Sequence, residues 1–523
     1  MADGRPYARD VPRRLDALLS EAAASAPDRA ALIHGAGRVT YGELDRRVTA
    51  AAAALRALVP GTGATVAVAS VLHPDFAVAY YAAARAGHVA AVVNPLLGED
   101  DLLHVLTLGR ARLAFVDAAL YERLAAVRDR LPDLEQVVLI GDGAREGLTR
   151  LRELVDGAPS GAVPPAAPAG PDDVACVQFT SGTTGRPKAV RLTHRNLTVN
   201  ADQIAVAHRL TATSVSVNHL PTFHPMHLNS AVRAVATQVL CTGREPFHAV
   251  AAANEHGATH LYSLPVRLAR LAADPGLDEL GLRTVTRIAS GGSGLPVAAA
   301  ARLTERFGIP VFQGYGLAET SPLTHSDDPD HPVHGSVGRP VEGTECRVVD
   351  VESRAVLPAG SVGEVQLRGP QVMKGYLGGP DGAGLEPDGW LSTGDVGRID
   401  DEGRLFLVDR LKDVFKCDNF LVAPSEVELV VARHPLVREA VVVDLPDEFS
   451  GAVAGALLVL DPSVAAQDTG QAVADAVAFV SDRLPYYQHI RYAHAVEAIP
   501  RSGNGKIQRR LLRERLLGLR ADV

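Results

Sequence analysis

Only five of the 52 basic side chains in this 523-residue sequence are lysines: Lys188, Lys374, Lys412, Lys416 and Lys506. A lysine inside a patterned segment is therefore informative. Val174-Ala-Cys-Val-Gln-Phe-Thr180 reads as a buried strand running into Ser181-Gly-Thr-Thr-Gly-Arg-Pro-Lys188. Glycines let such a loop turn several backbone N–H groups onto one point. Thr180, Ser181, Thr183 and Thr184 add neutral donors beside Gly182, and Lys188 adds charge. A polyphosphate needs that combination. The pattern is not the common P-loop, because Arg186-Pro187 separates Gly185 from Lys188 and no Ser or Thr follows the lysine. A functionless Ser/Thr/Gly loop is the bland alternative, and the scarcity of lysine weighs against it. Lys506 ends Gly503-Asn-Gly-Lys, a glycine-rich tip ahead of a basic helix.

Layered elements must hold these groups. Leu15–Ala24, Tyr41–Leu58 and Asp101–Leu108 have helical periodicity. Thr65–Ser70, Ala90–Val93, Leu113–Val116 and Gln136–Ile140 read as buried strands. This alternation predicts α/β layers around a mostly parallel sheet. A Pro/Ala/Gly-rich loop spans Gly157–Pro171, and a second α/β stretch runs from Val174 to Pro340. Short β runs follow at Glu345–Val349, Gly363–Leu367, Val396–Ile399 and Leu405–Val408, a small antiparallel unit. After Asp409 the predicted order is helix Ser425–Arg433, strands Ala440–Asp444 and Ala454–Leu460, and helices Gln471–Arg483 and Ile507–Leu517. The fold class is α/β: a large N-terminal domain (1–411) of layered sheets plus the β unit, joined to a small α+β C-terminal domain (412–523).

Thr180 to Lys188 with Leu192-Thr-His194 resembles the phosphate loop of the adenylate-forming superfamily, which includes acyl- and aryl-CoA synthetases, luciferases and peptide adenylation domains. Pro221-Thr-Phe-His224, Gly314-Tyr-Gly-Leu-Ala-Glu-Thr320, Gly363-Glu to Gly375-Tyr376, Trp390-Leu-Ser-Thr-Gly-Asp395, Asp409-Arg-Leu-Lys412 and Pro500-Arg-Ser-Gly-Asn-Gly-Lys506 follow in the family's order. The resemblance implies an acid–CoA ligase. A carboxylate attacks the α-phosphate of ATP to give acyl-AMP, and the acyl group then passes to coenzyme A. It implies ATP, Mg2+ and coenzyme A, with Lys188 and the loop on the phosphates and Glu319 as the metal ligand. Thr320 is expected on the α-phosphate and Tyr315 against adenine, with Gly316, Gly291 and Gly292 beside the nucleotide and acyl group. Asp395 is expected on the ribose hydroxyls with Arg410 near it, Lys412 at the hinge, and Lys506 at the reacting carboxylate.

Amino-acid-activating relatives place an aspartate after Phe223, where this chain has His224. A buried ammonium would be unpaired there, so the acid is expected to lack an α-amino group. His224 either gates the acyl pocket or packs; His227 and Asn229 either touch substrate or cap a helix. The pocket is expected to be lined by His224, Met226, Gly291, Gly292, Ser293 and small neighbours, admitting a bulky apolar acid. The chain departs from the family pattern at Ala189 and Asn419, where glycine is usual, at Gly294, and at Leu421, where a polar side chain is common. Those changes keep a second reading open. A half-reaction specialist would make only the thioester from preformed acyl-AMP, or would deliver acyl-AMP to another acceptor such as a carrier protein.

The charge sum of −9 excludes a broad nucleic-acid footprint. Four scattered cysteines form neither a disulfide framework nor a CxxC site. No 20-residue stretch is apolar and charge-free, and the N-terminus lacks a secretory core, so a cytoplasmic protein off the membrane is expected. A homodimer is the default assembly.

Overall fold

The parallel centre of a nine-stranded sheet runs, in spatial order, Val311–Gly316, Arg287–Ser290, His260–Ser263, Val215–His219, Thr237–Leu240 and Ala30–His34. Leu323–Ser326 and Arg339–Pro340 add antiparallel strands at one edge, and Gly37–Thr40 adds one at the other. The order reverses at Val215–His219. The chain moves from there to Thr237–Leu240 on one side, then returns to lay His260–Ser263 on the other. Ligands of open α/β sheets bind outside the carboxyl ends of the strands at such a reversal.

A seven-stranded sheet follows the order Gly375–Tyr376, Lys188–Thr193, Val174–Thr180, Val89–Val92, Thr65–Ala69, Ala111–Val116 and Gln136–Leu139. The computed structural model describes residues 13–158, 169–180, 187–220, 224–418, 420–500 and 507–521. Helix Tyr41–Leu58 begins where Thr40 accepts the Glu43 N–H at 3.2 Å, an N-cap of the usual hydroxyl type. The Ala-rich segment after Leu72 is the helix Pro74–Arg85, buried from Phe76 through Ala84. Its methyl groups pack among Leu15, Leu44, Val48 and Leu228. Small side chains suit a helix enclosed on all sides. Among the described residues no helix is long and apolar enough to cross a membrane.

The chain divides into two compact units. The first comprises Met1–Cys346, Gln366–Ser392 and Asp401–Leu405; the second comprises Arg347–Val365, Thr393–Asp400 and Phe406–Val523. The division passes through four strands, Glu345–Val349, Gly363–Arg368, Leu391–Ile399 and Leu405–Arg410, which form a sheet in that order. In the second unit Val437–Asp447 and Gly451–Leu460 pair as a long antiparallel hairpin, with Ile490–Ala495 parallel to the latter strand. Val441, Val443, Leu457, Val480, Leu512 and Leu516 are buried in its core. Helices Pro424–Val431, Thr469–Ser481 and Arg509–Ala521 cover the sheet. Phe415–Cys417 and Phe420–Val422 pair as antiparallel strands. Asp418 adopts φ +50° there, a conformation Asp tolerates better than most residues.

Candidate active site

Within the first unit a cavity of about 260 Å³ opens at the carboxyl ends of the parallel strands. Strand periodicity selects its walls, because every second residue faces the same side. Tyr262, Ala289 and Phe312 stand in register across three strands, and all three line the cavity. Beyond them Gly291, Gly314 and Gly316 line the cavity. Glycine is required at two of these positions, because a Cβ on Gly314 would press on the Leu323 side chain and one on Gly316 would collide with the carbonyl of Pro322. Gly292 has φ +94°, a left-handed backbone that favours glycine.

The opposite wall is helix Pro225–Arg233. His224 is its N-cap, with Nδ1 accepting the Met226 N–H at 3.2 Å. Pro225 occupies the first helical position, where its missing N–H costs nothing. Since Nδ1 accepts, the imidazole proton belongs on Nε2. His208 places Nδ1 3.1 Å from the Tyr262 hydroxyl and sets its ring edge-on to Phe312 at 5.2 Å. The His227 ring lies 4.6 Å from that of Tyr262. Burial drives His224 down to about 4. Burial, with His260 adding to it, drives His208 down to about 3. Burial, then His224 and His208, take His227 to about 3. These imidazoles are neutral at pH 7, and among the described residues no Asp or Glu lines the cavity.

Charge appears where the cavity ends. Leu317 and Ala318 line it, and Glu319 follows in the short 3-10 turn Ala318–Thr320. The Tyr376 hydroxyl donates to Glu319 Oε1 at 2.9 Å. The Lys188 ammonium sits 4.9 Å above the Tyr376 ring, a cation–π distance. Burial, followed by the Glu319 charge and its hydrogen bond, raises the Tyr376 phenol, keeping it a donor. The Met373 N–H donates to the Glu319 carbonyl at 2.8 Å, tying the turn to the segment that carries Tyr376. Lys188 is exposed and pairs across the hairpin with Thr180.

Thr320 is fully buried, and its Oγ1 is committed to the turn. It accepts the Leu317 N–H at 3.0 Å and donates to the Leu317 or Pro322 carbonyl. A phosphate could take that hydroxyl proton only by displacing a backbone carbonyl. Tyr315 lines the cavity, its ring 5.9 Å from that of His325. Among the described residues no group of three or more His, Cys, Asp or Glu could hold a metal by itself. One carboxylate suits magnesium, which keeps several waters and completes its shell with substrate phosphates.

In the second unit Arg410 Nε lies 2.8 Å from Asp395 Oδ1, and the Asp395 side chain is 6% exposed. The Leu411 N–H donates to the Gly394 carbonyl at 2.8 Å. Lys412 follows, exposed in a turn.

Thr180, Lys188, His224, Gly291, Gly292, Tyr315, Gly316, Glu319 and Thr320 all belong to the first unit, and Asp395, Arg410 and Lys412 to the second. Ser181, Gly182, Thr183, Thr184 and Lys506 lie outside the described residues, as does Asn419. Ser293 does not line the cavity. Asn229 neither touches the cavity nor caps the helix; it accepts from the Tyr81 hydroxyl at 2.9 Å and donates to that of Tyr80 at 3.3 Å. Ala189 is buried beside Ala91 and Val177, so its extra methyl joins the core. His208, Tyr262, Phe312 and the bridging role of Tyr376 had no local signal in the sequence. Gly375-Tyr376 was visible as a motif, but only pairing of its strand with Lys188–Thr193 brings Tyr376 near Lys188.

The profile of the AMP-binding enzyme family matches residues 19–377, and that of the AMP-binding enzyme C-terminal domain matches residues 426–506. The chain is 32% identical to 4-coumarate–CoA ligase 2 of Oryza sativa subsp. japonica, over 94% of this chain and 91% of that protein. ATP-bound MatB from Rhodopseudomonas palustris superposes with TM-score 0.85 at 26% identity, covering 96% of this chain and 99% of that one. A benzoate CoA ligase from Burkholderia xenovorans LB400 gives TM-score 0.79 at 26% identity, covering 96% and 100%.

Proposed function

The chain belongs to the AMP-binding enzyme family and is an acid–thiol ligase of its AMP-forming class; from that premise we propose that it joins a carboxylic acid lacking an α-amino group to coenzyme A through an acyl-adenylate. One observation carries this reading: Glu319, bonded by Tyr376 with Lys188 over the phenol ring, directly follows Leu317 and Ala318 on the wall of an uncharged cavity. Charge to hold ATP and a neutral space to hold an acid are then adjacent in one unit. With no carboxylate on the cavity wall, an α-ammonium would be buried unpaired.

In the first half-reaction a carboxylate oxygen bonds to the α-phosphorus, and the bond to the pyrophosphate oxygen breaks. Two anions must meet, so positioning and positive charge carry the catalysis. Lys188 with Thr180, Ser181, Gly182, Thr183 and Thr184 holds the outer phosphates. Tyr376 fixes the Glu319 carboxylate, which would hold magnesium; bound there, the metal would neutralise phosphate charge. Tyr315 packs against adenine, Gly291, Gly292 and Gly316 admit the nucleotide and acid, and Thr320 sets the turn beside the α-phosphate. Asp395 accepts the ribose hydroxyls, oriented by Arg410. Lys506 bridges the carboxylate and the α-phosphate. In the second half-reaction the thiol sulfur attacks the acyl carbon and AMP leaves. A hinge at the exposed Lys412 would present Lys506 for the first step and another face of the C-terminal domain for the second.

Leu421, in the hairpin strand Phe420–Val422, favours a second reading, a half-reaction specialist. One experiment separates them. Purified protein is incubated with ATP, magnesium, coenzyme A and a panel of acids, and acyl-AMP, AMP and acyl-CoA are followed by mass spectrometry. A parallel arm supplies synthetic acyl-AMP. Acyl-CoA and AMP in the first arm support the complete ligase. Acyl-CoA only in the second arm, or acyl-AMP accumulating without thioester, replaces it with one of the half-reactions.

A further inference from the structure

Segment 378–384 reads Gly-Gly-Pro-Asp-Gly-Ala-Gly. Such a run has much backbone entropy to lose and no large apolar side chain to anchor it. It nonetheless folds back on Tyr376. The Tyr376 N–H donates to the Ala383 carbonyl at 3.2 Å, and the Gly382 N–H donates to the Lys374 carbonyl at 2.7 Å. Gly384, at φ +93°, comes so near that a Cβ would collide with the Tyr376 ring. What holds the segment from outside is Arg191. Its side chain is 16% exposed; Nη2 donates to the Gly379 and Pro380 carbonyls at 3.3 and 2.8 Å, and Nη1 lies 3.1 Å from Asp381 Oδ1. We infer that Arg191 is a positioning residue for adenylation: it clamps this segment against Tyr376, and that phenol in turn fixes the carboxylate of Glu319, where magnesium would bind. This deepens the ligase reading and rests on it for the role of Glu319.

Three observations separate this role from plain support of the fold. The strand pairing does not need the guanidinium. The Lys374 N–H donates to the Arg191 carbonyl at 2.9 Å and the Leu377 N–H to that of Ala189 at 2.8 Å, so backbone alone joins Gly375–Tyr376 to Lys188–Thr193. The side chain reaches past that pairing to the segment beyond. The contacts also suit a planar fork, which an ammonium cannot reproduce. Gly375 leaves the fork room, for a Cβ there would stand 3.1 Å from Nη2. Lys374 shares Asp381, with Nζ 3.6 Å from Oδ2. That carboxylate is 65% exposed, and an exposed ion pair by itself holds little, so the two carbonyl bonds carry the clamp. Finally, the Tyr376 hydroxyl is the one hydrogen-bond partner of the Glu319 carboxylate among the described residues. A hydrogen bond weakens steeply as its angle closes, so a ring free to tilt would lose that carboxylate. All these residues belong to the first unit.

The test compares Arg191→Gln, Arg191→Lys and, on an exposed side chain, Asp381→Asn with the unaltered protein. Hydrogen exchange without ligands is read first. Arg191→Gln is expected to speed exchange in the peptide spanning 374–385 by about tenfold and to leave helix Tyr41–Leu58 unchanged. The magnesium concentration for half-maximal acyl-AMP formation is expected to rise about fivefold, with a smaller change in the rate at saturating magnesium. Arg191→Lys should fall between, and Asp381→Asn should move both readouts the same way by a smaller factor. The decisive measurement combines Arg191→Gln with Tyr376→Phe. With the hydroxyl gone Arg191 has nothing left to position, so the double variant should shift magnesium dependence no further than Tyr376→Phe alone. Full additivity overturns the proposal. So does unchanged exchange, and so does faster exchange with unmoved magnesium dependence. Should Tyr376→Phe and Glu319→Gln both leave magnesium dependence unmoved, the metal role of Glu319 fails and the proposal falls with it, a result read without altering Arg191.

Discussion

In the cavity His208, His227 and Tyr262 stand together, and burial holds both imidazoles uncharged at pH 7. At Lys188 the chain keeps its ammonium exposed above the Tyr376 ring and holds Glu319 through a phenol. Both regions belong to one unit, and the strand Val311–Gly316 with the turn that follows runs from one to the other. On the proposed reading the contrast follows from what each would bind: a multiply charged phosphate repays an exposed cation, whereas a charge taken out of water beside a neutral ligand would cost its desolvation with nothing to offset it. The same fold can do both because residue type and burial act together: an exposed lysine stays protonated at pH 7, and burial removes what charge an imidazole would keep.

The comparison can be broken at its charged end first. Lys506→Ala is expected to lower acyl-AMP formation by about 10³, in the range of losing one preorganised transition-state donor. Thioester formation from synthetic acyl-AMP should fall far less; equal losses in both assays would remove Lys506 from the first step. Glu319→Gln is expected to cost about 10² in adenylation and to raise the magnesium concentration needed for half-maximal rate. An unchanged magnesium dependence would deny Glu319 its place as metal ligand. Tyr376→Phe removes one hydrogen bond to a charged group, ~1.5 kcal/mol or about tenfold. Its signature is the same shift in magnesium dependence as Glu319→Gln, only smaller.

The neutral end makes an opposite prediction. His208, His224 and His227 have folded values of about 3, 4 and 3, below the ~6.5 of an unfolded imidazole. Their stabilising contribution is present in full above pH 6.5 and is lost as the pH falls toward the folded values. Between pH 6 and 4 the urea midpoint should therefore drop with net proton uptake on unfolding. His227→Phe should remove one proton from that slope, ~1.4 kcal/mol per pH unit. An unaltered slope would mean that His227 is not held neutral. The smallest effect belongs to His224→Ala, which deletes a helix cap worth ~1 kcal/mol, read as a modest fall in the midpoint at pH 8.

Much of the scaffold was legible before any coordinates. Helix Tyr41–Leu58 has the bounds its periodicity predicts, and strand Glu345–Val349 does as well. Thr40 marks the helix start, and Glu345 and Arg347 alternating with Cys346 and Val348 mark the strand. The long hairpin Val437–Asp447 to Gly451–Leu460 was read as two shorter strands, because Leu445-Pro446-Asp447 carries a proline that demotes a strand on sequence grounds. Its pairing with Gly451–Val453 is a tertiary outcome.

Sequence alone determined the parts whose information is local. The glycine and hydroxyl spacing before Lys188, the Glu319 turn and the caps each depend on residues within a few positions of one another. Only the tertiary structure decided which distant side chains share a space. Tyr376 reaches Glu319 across 57 positions and His208 reaches Tyr262 across 54. No local period encodes such pairings, because sheet order and helix placement make them. The protonation of the cavity was decided there too. A histidine in a sequence titrates near neutrality, and only enclosure by the strands and helix Pro225–Arg233 turns His208, His224 and His227 into neutral walls.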